Sequence, residues 1–205
     1  LCERLCPFEV SGVITHWARA FPSREGLYDA VAFLENPNVG AGAREFRYVF
    51  KLYDAQNILT GEREGKTFLN PKERFAVYES GIAAGTGTHA PRRTFFEIKK
   101  ELIWESISMP REIEFSVRDT MFLEAHDGSA PKIKTMLISR VLKDSSDIEV
   151  VALLFDGEEN LIDAVKTSVA RLASGEAKLL TFLLSPALRE APKRIDIFPR
   201  RNMFK

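Results

Sequence analysis

The residue types that could do chemistry are few and scattered. Cys2 and Cys6, the only cysteines, stand in a C-x3-C arrangement near the start of the chain. That spacing leaves open a local disulfide, a metal half-site, a lipid-modified Cys2 or two cysteines with no role. Zinc takes about four ligands, and no histidine lies nearer in sequence than His16. His16, His89 and His126 are far apart, and no nucleophile-elbow or related motif supplies a nucleophile, a base and an orienting group. They read as surface or hydrogen-bonded histidines. The stretch Asp156-Gly157-Glu158-Glu159-Asn160 is acidic but lacks the ligand spacing of a calcium loop, so it reads as a hairpin turn. The run from Gly81 to Thr88 contains G-x-G without the strand–loop–helix context of a dinucleotide site. It reads as a long connecting loop, and its functional alternative is a recognition loop on a rigid scaffold. Trp17 and Trp104 read as core or interdomain packing, with an outward carbohydrate-stacking platform as the alternative. The expectation is a protein that is not an enzyme, with no catalytic residues, no cofactor and no metal site.

Charge excludes further classes. Lys plus Arg equals Asp plus Glu, at 29 each, so there is no global pull toward nucleic acid or an anionic membrane. The basic pairs Arg92-Arg93, Lys99-Lys100 and Arg200-Arg201 read as solvated strand faces and a tail. The longest uncharged apolar-rich run, from Leu179 to Leu188, contains Pro186 and falls short of the roughly 20 residues that span a bilayer as a helix. With 45% hydrophobic and 28% charged residues the chain is expected to fold throughout.

The elements that would position these groups follow a period of two. Phe46, Tyr48, Phe50 and Leu52 share one face of a strand, and Phe96, Ile98, Leu102 and Trp104 fall on one parity. Ile113, Phe115 and Val117 alternate with polar residues. Val150 to Phe155 is apolar on both faces, as in a central strand. Turn chemistry separates the strands at Asn36-Pro37-Asn38, Asp127-Gly128, Asp156-Gly157 and Ser174-Gly175. Many short strands spaced in this way predict a sandwich or barrel.

One segment recurs. Phe50-Lys51-Leu52-Tyr53-Asp54, then Leu69-Asn70-Pro71-Lys72-Glu73, has a counterpart in Ala152-Leu153-Leu154-Phe155-Asp156, then Leu172-Ala173-Ser174-Gly175-Glu176, about 102 residues on. The second copy is one residue longer, and the extra residue is expected in the hairpin after the Asp. In this structural hairpin motif Phe50 and Leu52, or Leu154, face a core, the aromatic Tyr53 or Phe155 packs on the opposite face, and Asp54 or Asp156 accepts backbone N–H groups to start the turn. Asn57 and Asn160 are expected to close it in the left-handed region. A period this long means duplication of a whole domain. The prediction is all-β: two tandem immunoglobulin-like antiparallel β-sandwich domains, residues 1–108 and 109–205, joined end to end by a short linker at Pro110.

The first of these segments matches the F-x-L-Y-D signature and so resembles a family of bacterial extracytoplasmic immunoglobulin-like domains. The later segments resemble the L-x-P-G-E turn of adhesion-related bacterial sandwich domains. Lys72 stands for the Gly, Ser174 for the Pro, Phe155 for the Tyr and Ala152 for the Phe. The resemblance implies a cell-surface or secreted protein and carries no catalytic residues. The expected function is a non-catalytic spacer, presenter or adhesion module. The alternative is a specific glycan- or peptide-binding module of an envelope assembly, and the third class is an enzyme with an unrecognised site. The expected partner is a protein or glycan at the cell surface, with no nucleic acid. A membrane is expected only through an anchor upstream of Leu1, because a chain starting at Leu rather than Met reads as a trimmed or mature form.

Overall fold

A computed structural model describes residues 9–107, 114–125, 129–185, 188 and 190–205. The chain is all-β, its one helical turn among the described residues being a 3-10 segment at Gly87–His89. The strands are β1 (Ile14–Arg24), β2 (Leu27–Glu35), β3 (Ala41–Tyr53), β4 (Leu59–Leu69), β5 (Arg74–Ala83), β6 (Arg93–Ile98), β7 (Glu105–Ser106), β8 (Phe115–Leu123), β9 (Lys132–Ser139), β10 (Ser145–Phe155), β11 (Leu161–Leu172), β12 (Ala177–Leu183) and β13 (Arg194–Arg200). They form four antiparallel sheets in the orders β1-β2-β5, β4-β3-β6 with β7 added to β3, β12-β9-β8 and β11-β10-β13. Strand pairing stays within β1–β7 and within β8–β13.

The alternation read from the sequence builds two of the three cores. Phe46, Tyr48, Phe50 and Leu52 of β3 pack with Phe96 against Ala30, Ala32 and Leu34 of β2 and with Phe75 and Val77 of β5. In the second half Ile148, Val150, Ala152 and Leu154 of β10 face Ile133 and Leu137 of β9 and Leu180 and Phe182 of β12. Each core fills the space between two sheet faces, as in a sandwich.

A third core joins the halves. The opposite parity of β2 and β5, at Val31, Ala76 and Tyr78, meets the opposite parity of β10, at Val151, Leu153 and Phe155. Trp17 stacks on Phe33 with centroids 5.6 Å apart, and Phe33 tilts against Phe198 of β13 at 5.3 Å. The four sheets are therefore layered in the order β4-β3-β6, β1-β2-β5, β11-β10-β13, β8-β9-β12, and the inner two are covered on both faces. This corrects the expected end-to-end arrangement: the halves sit side by side, sheet against sheet. The physical reason is the apolar run of β10. Its second face is the face that docks on β1-β2-β5, so more than a central position in one sheet lies behind it. The expected boundary at 108 and 109, Pro110 and Ile113 lie outside the described residues.

The last residues tie the layers together. Asn70 Nδ2 donates to the Arg201 carbonyl at 2.9 Å, and Asn202 Nδ2 donates to the Arg44 carbonyl at 2.8 Å. Arg44 Nη1 donates to the Phe204 carbonyl. Gly42 lets this tail approach, since a Cβ there would lie 2.2 Å from the Leu69 carbonyl oxygen and 2.8 Å from the Phe204 ring.

Candidate functional site

The two hairpins of the recurring motif have the same wiring. Asp54 Oδ1 accepts from the backbone N–H of Gln56 and of Ile58, each at 2.9 Å, and Asp156 Oδ1 accepts from Glu158 and Asn160, each at 2.8 Å. The backbone N–H of Asp54 donates to the Ile58 carbonyl and that of Asp156 to the Asn160 carbonyl, both at 3.0 Å. Tyr53 turns away from the first core to meet Phe95 edge-on at 5.5 Å, whereas Phe155 enters the third core beneath the Arg194 guanidinium at 4.1 Å.

Two details of the motif differ from expectation. The residue closing the second turn at positive φ is Glu159, not Asn160, while Asn57 closes the first as expected. Asn160 instead donates its side-chain amide to Asp156 Oδ2 at 3.0 Å. The turns are also equal in length, so the extra residue is not in the hairpin. The difference lies in a bulge of β3 between Ala43 and Phe46, where three steps of β3 oppose two of β4, from Leu69 to Thr67. The β10–β11 ladder runs without that irregularity from Ser145 to Leu154.

His16 and His89 bond to carboxylates. His89 Nδ1 lies 2.9 Å from Asp54 Oδ2, and that contact, with the backbone bonds of the turn, holds the Asp54 carboxyl below its ordinary pKa. His16 Nε2 lies 2.9 Å from Glu35 Oε2, which also accepts from Arg74 at 2.9 Å, so the Glu35 carboxyl is lowered as well. Asp156 is lowered through Asn160 and its turn amides. His126, Cys2 and Cys6 lie outside the described residues. Of the Gly81–Thr88 stretch, Gly81 to Ala83 complete β5, Ile82 is buried, Ala84 to Thr86 are loop, and Gly87 and Thr88 open the 3-10 turn. Trp104 packs on the first core and Trp17 on the third, so the two rings do not form one platform.

The strongest electrostatic features escape the sequence. Arg200, expected in a solvated tail, is buried between two rings, with its guanidinium carbon 3.9 Å from the Phe68 centroid and 4.0 Å from that of Phe75. Its Nη2 donates to the Phe68 carbonyl at 2.6 Å and to Glu73 Oε2 at 3.1 Å, and both partners of this ion pair are 1% exposed. Asn70 Nδ2 steadies the other oxygen of Glu73 at 3.2 Å. A dibasic Arg200-Arg201 carries no sequence mark of this, because only the parity of β13 decides which of the two is buried.

A cleft of about 400 Å³ opens at another edge of the junction, lined by Asp29 and Tyr78 from one half and Asp163 and Ser185 from the other. Tyr78 donates its hydroxyl to Asp29 Oδ2 at 2.7 Å, and the Gly81 N–H donates to Asp29 Oδ1 at 2.9 Å. Asp163 Oδ1 accepts from the Ala164 N–H at 2.8 Å. Burial nonetheless dominates and pushes the Asp163 carboxyl up to about 6, with the charge of Asp29 adding to the rise. The hydroxyl of Tyr78 is raised by burial and by its bond to Asp29. A carboxyl poised there can take up and release a proton near neutrality. Among the described residues no group of three or more His, Cys, Asp or Glu side chains could hold a metal ion, and no helix is long and apolar enough to cross a membrane. No protein-family model matches this chain, and comparison with the curated proteins returns no match.

Proposed function

We propose that the chain is a pair of immunoglobulin-like sandwich domains fused face to face into one rigid, non-catalytic module of a cell-surface or secreted protein. It acts as a presenter or adhesion element. The observation that carries the reading is the third core: sheets β1-β2-β5 and β11-β10-β13 bury their second faces on each other, and the Arg200–Glu73 pair locks the edge of that contact. Equivalent hairpins in β3–β4 and β10–β11 support the duplication. A module built this way holds its outer surfaces at fixed relative orientation. Fractionation of cells producing the full-length protein tests the reading. It should sediment with the envelope and be cut by protease added outside intact cells. A soluble cytoplasmic protein, shielded from that protease, overturns the proposal.

The alternative, a glycan- or peptide-binding module, draws support from one feature. Tyr53, Phe95 and Leu59 cluster at the hairpin end of the outer β4-β3-β6 sheet, and Phe95 is 49% exposed. Aromatic pairs open to solvent suit sugar rings. Titration with a panel of soluble glycans, repeated on Phe95→Ala, separates this reading: saturable binding lost in the variant supports it.

A further inference from the structure

The two outer faces of the stack differ in kind. On the outer face of β8-β9-β12, cross-strand pairing places Met121, Leu123, Met136, Ile138, Leu179 and Leu183 on one side of the sheet. Met121, Leu179 and Leu183 are 52%, 56% and 68% exposed. Arg118, Lys132 and Lys134 stand among them, and Arg140 reaches in to bond Ser116 at 2.9 Å. The remaining paired positions, Ser116, Ala177 and Thr181, are neutral, so no carboxylate stands at a paired position of this face. Asp119 lies in the irregular part of β8, between Arg118 and Met121.

We propose that this face docks on an anionic phospholipid surface. The inference does not rest on the extracytoplasmic reading. Charge complementarity selects the occupant, because Arg118, Lys132 and Lys134, with no carboxylate at the paired positions around them, match a negatively charged headgroup layer. Lys132 and Lys134 sit on the central strand, between Leu123 and Leu183 and between Met121 and Thr181. A dry protein face laid over them strips the hydration of two central ammonium groups. A headgroup layer instead supplies phosphates and water while the leucines and methionines enter the acyl boundary, and lysine stems lie along apolar neighbours with their heads outward. A second copy is a poor occupant. The same face repels itself, and the opposite outer sheet sets Arg47, Lys51, Lys66 and Arg93 against Glu62, Glu64 and Glu97.

The test is sedimentation of the whole chain with vesicles of phosphatidylcholine, with and without phosphatidylglycerol, at low and at physiological salt. Wild type should partition onto the anionic vesicles only, and more weakly as salt rises. Lys132→Gln/Lys134→Gln should weaken partitioning about 25-fold, roughly fivefold per charge. Leu179→Ser/Leu183→Ser should weaken it by about tenfold or more. Lys51→Gln/Lys66→Gln, on the other outer sheet, should leave it unchanged, and thermal melts confirm that each variant is folded. Absence of partitioning at low salt overturns the proposal. So does equal binding to neutral vesicles, or an equal loss in Lys51→Gln/Lys66→Gln. A chain that ignores vesicles but self-associates through Leu179 also overturns it, by making this face a protein interface. Each of these outcomes is independent of where the full-length protein fractionates.

Discussion

Replacing Asp163 by asparagine should stabilise the protein at neutral pH, although asparagine removes a charge that makes hydrogen bonds. Burial at the junction raises the Asp163 carboxyl from its ordinary 3.8 to about 6. A raised carboxyl favours the folded state when protonated. Its contribution is therefore fully present below about pH 3.8 and is lost as pH climbs through about 6. Two pKa units at about 1.4 kcal/mol each put the loss near 3 kcal/mol by about pH 7.5. An asparagine side chain keeps an oxygen for the Ala164 N–H and carries no charge to desolvate. Weakening of the backbone bond from Ser185 takes back about 1 kcal/mol, since a bond of this type contributes about that much net.

The net expectation for Asp163→Asn is a gain of about 2 kcal/mol at pH 7.5 and close to none at pH 4. For a chain of this size that raises Tm by about 4–8 °C at the higher pH. The assay is a pair of calorimetric melts, wild type and variant, at half-unit steps from about pH 4 to 8. Taking the difference at each pH cancels the opposite trend of Asp54, Asp156 and Glu35, whose lowered carboxyls lose their contribution as pH falls. A difference that is flat with pH, or a variant less stable than wild type at neutral pH, would falsify the assignment of burial as the dominant cause.

Glu73→Gln leaves the Arg200 guanidinium buried without its counter-charge and should cost about 3–5 kcal/mol, read as a lower urea midpoint at unchanged slope. Arg200→Met with Glu73→Leu should cost less than the single change, because an apolar pair of similar volume leaves no stranded charge. At the second turn of the motif, Gly175 has φ 69 and open space around its missing Cβ, whereas Lys72 stands at φ 45 in the first copy. Gly175→Ala should therefore cost about 1–2 kcal/mol from backbone strain alone, and Lys72→Gly should gain about 0.5–1 kcal/mol, both measurable by chemical denaturation.

Legibility in the sequence divides along physical lines. Strands β3 and β10 are readable because one face of each is apolar over most of its length, and period two survives any tertiary context. The Asp turns are readable because their hydrogen bonds are local. The bulge at Ala43–Phe46 is not: Arg44 and Glu45 are ordinary polar strand residues, and the register shift depends on the partner strand. The layering is not legible either. Val150–Phe155 announces a strand covered twice without saying what covers its second face, which here is the other half of the chain. Arg200 and Asp163 are invisible for the same reason, since both owe their character to burial at a junction between segments distant in sequence.

On the proposed duplication, sequence differences at matching strand positions explain which faces meet. The pairing of Phe33 with Ala76 and of Val31 with Tyr78 corresponds to Met136 with Leu179 and to Lys134 with Thr181. Val31 is buried in the third core, whereas Lys134 stays half-exposed. In the other sheet Leu153 is buried in that core, and its counterpart Lys51 pairs with Glu97 at 2.6 Å. Basic residues on each central strand, Lys132 and Lys134 on β9 and Arg47 and Lys51 on β3, thus keep a face wet, because covering it costs the desolvation of charged groups. The chain uses this rule once in each half and in opposite sheets. The junction is therefore heterologous, with unlike faces in contact, and such a contact leaves one face of each kind at the ends of the stack. The end formed by β4-β3-β6 is closed by cross-strand ion pairs such as Lys51–Glu97 and Lys99–Glu64. The end formed by β8-β9-β12 carries its basic groups beside exposed leucine and methionine without such closure among the described residues, which is why the proposed docking falls on this end of the stack.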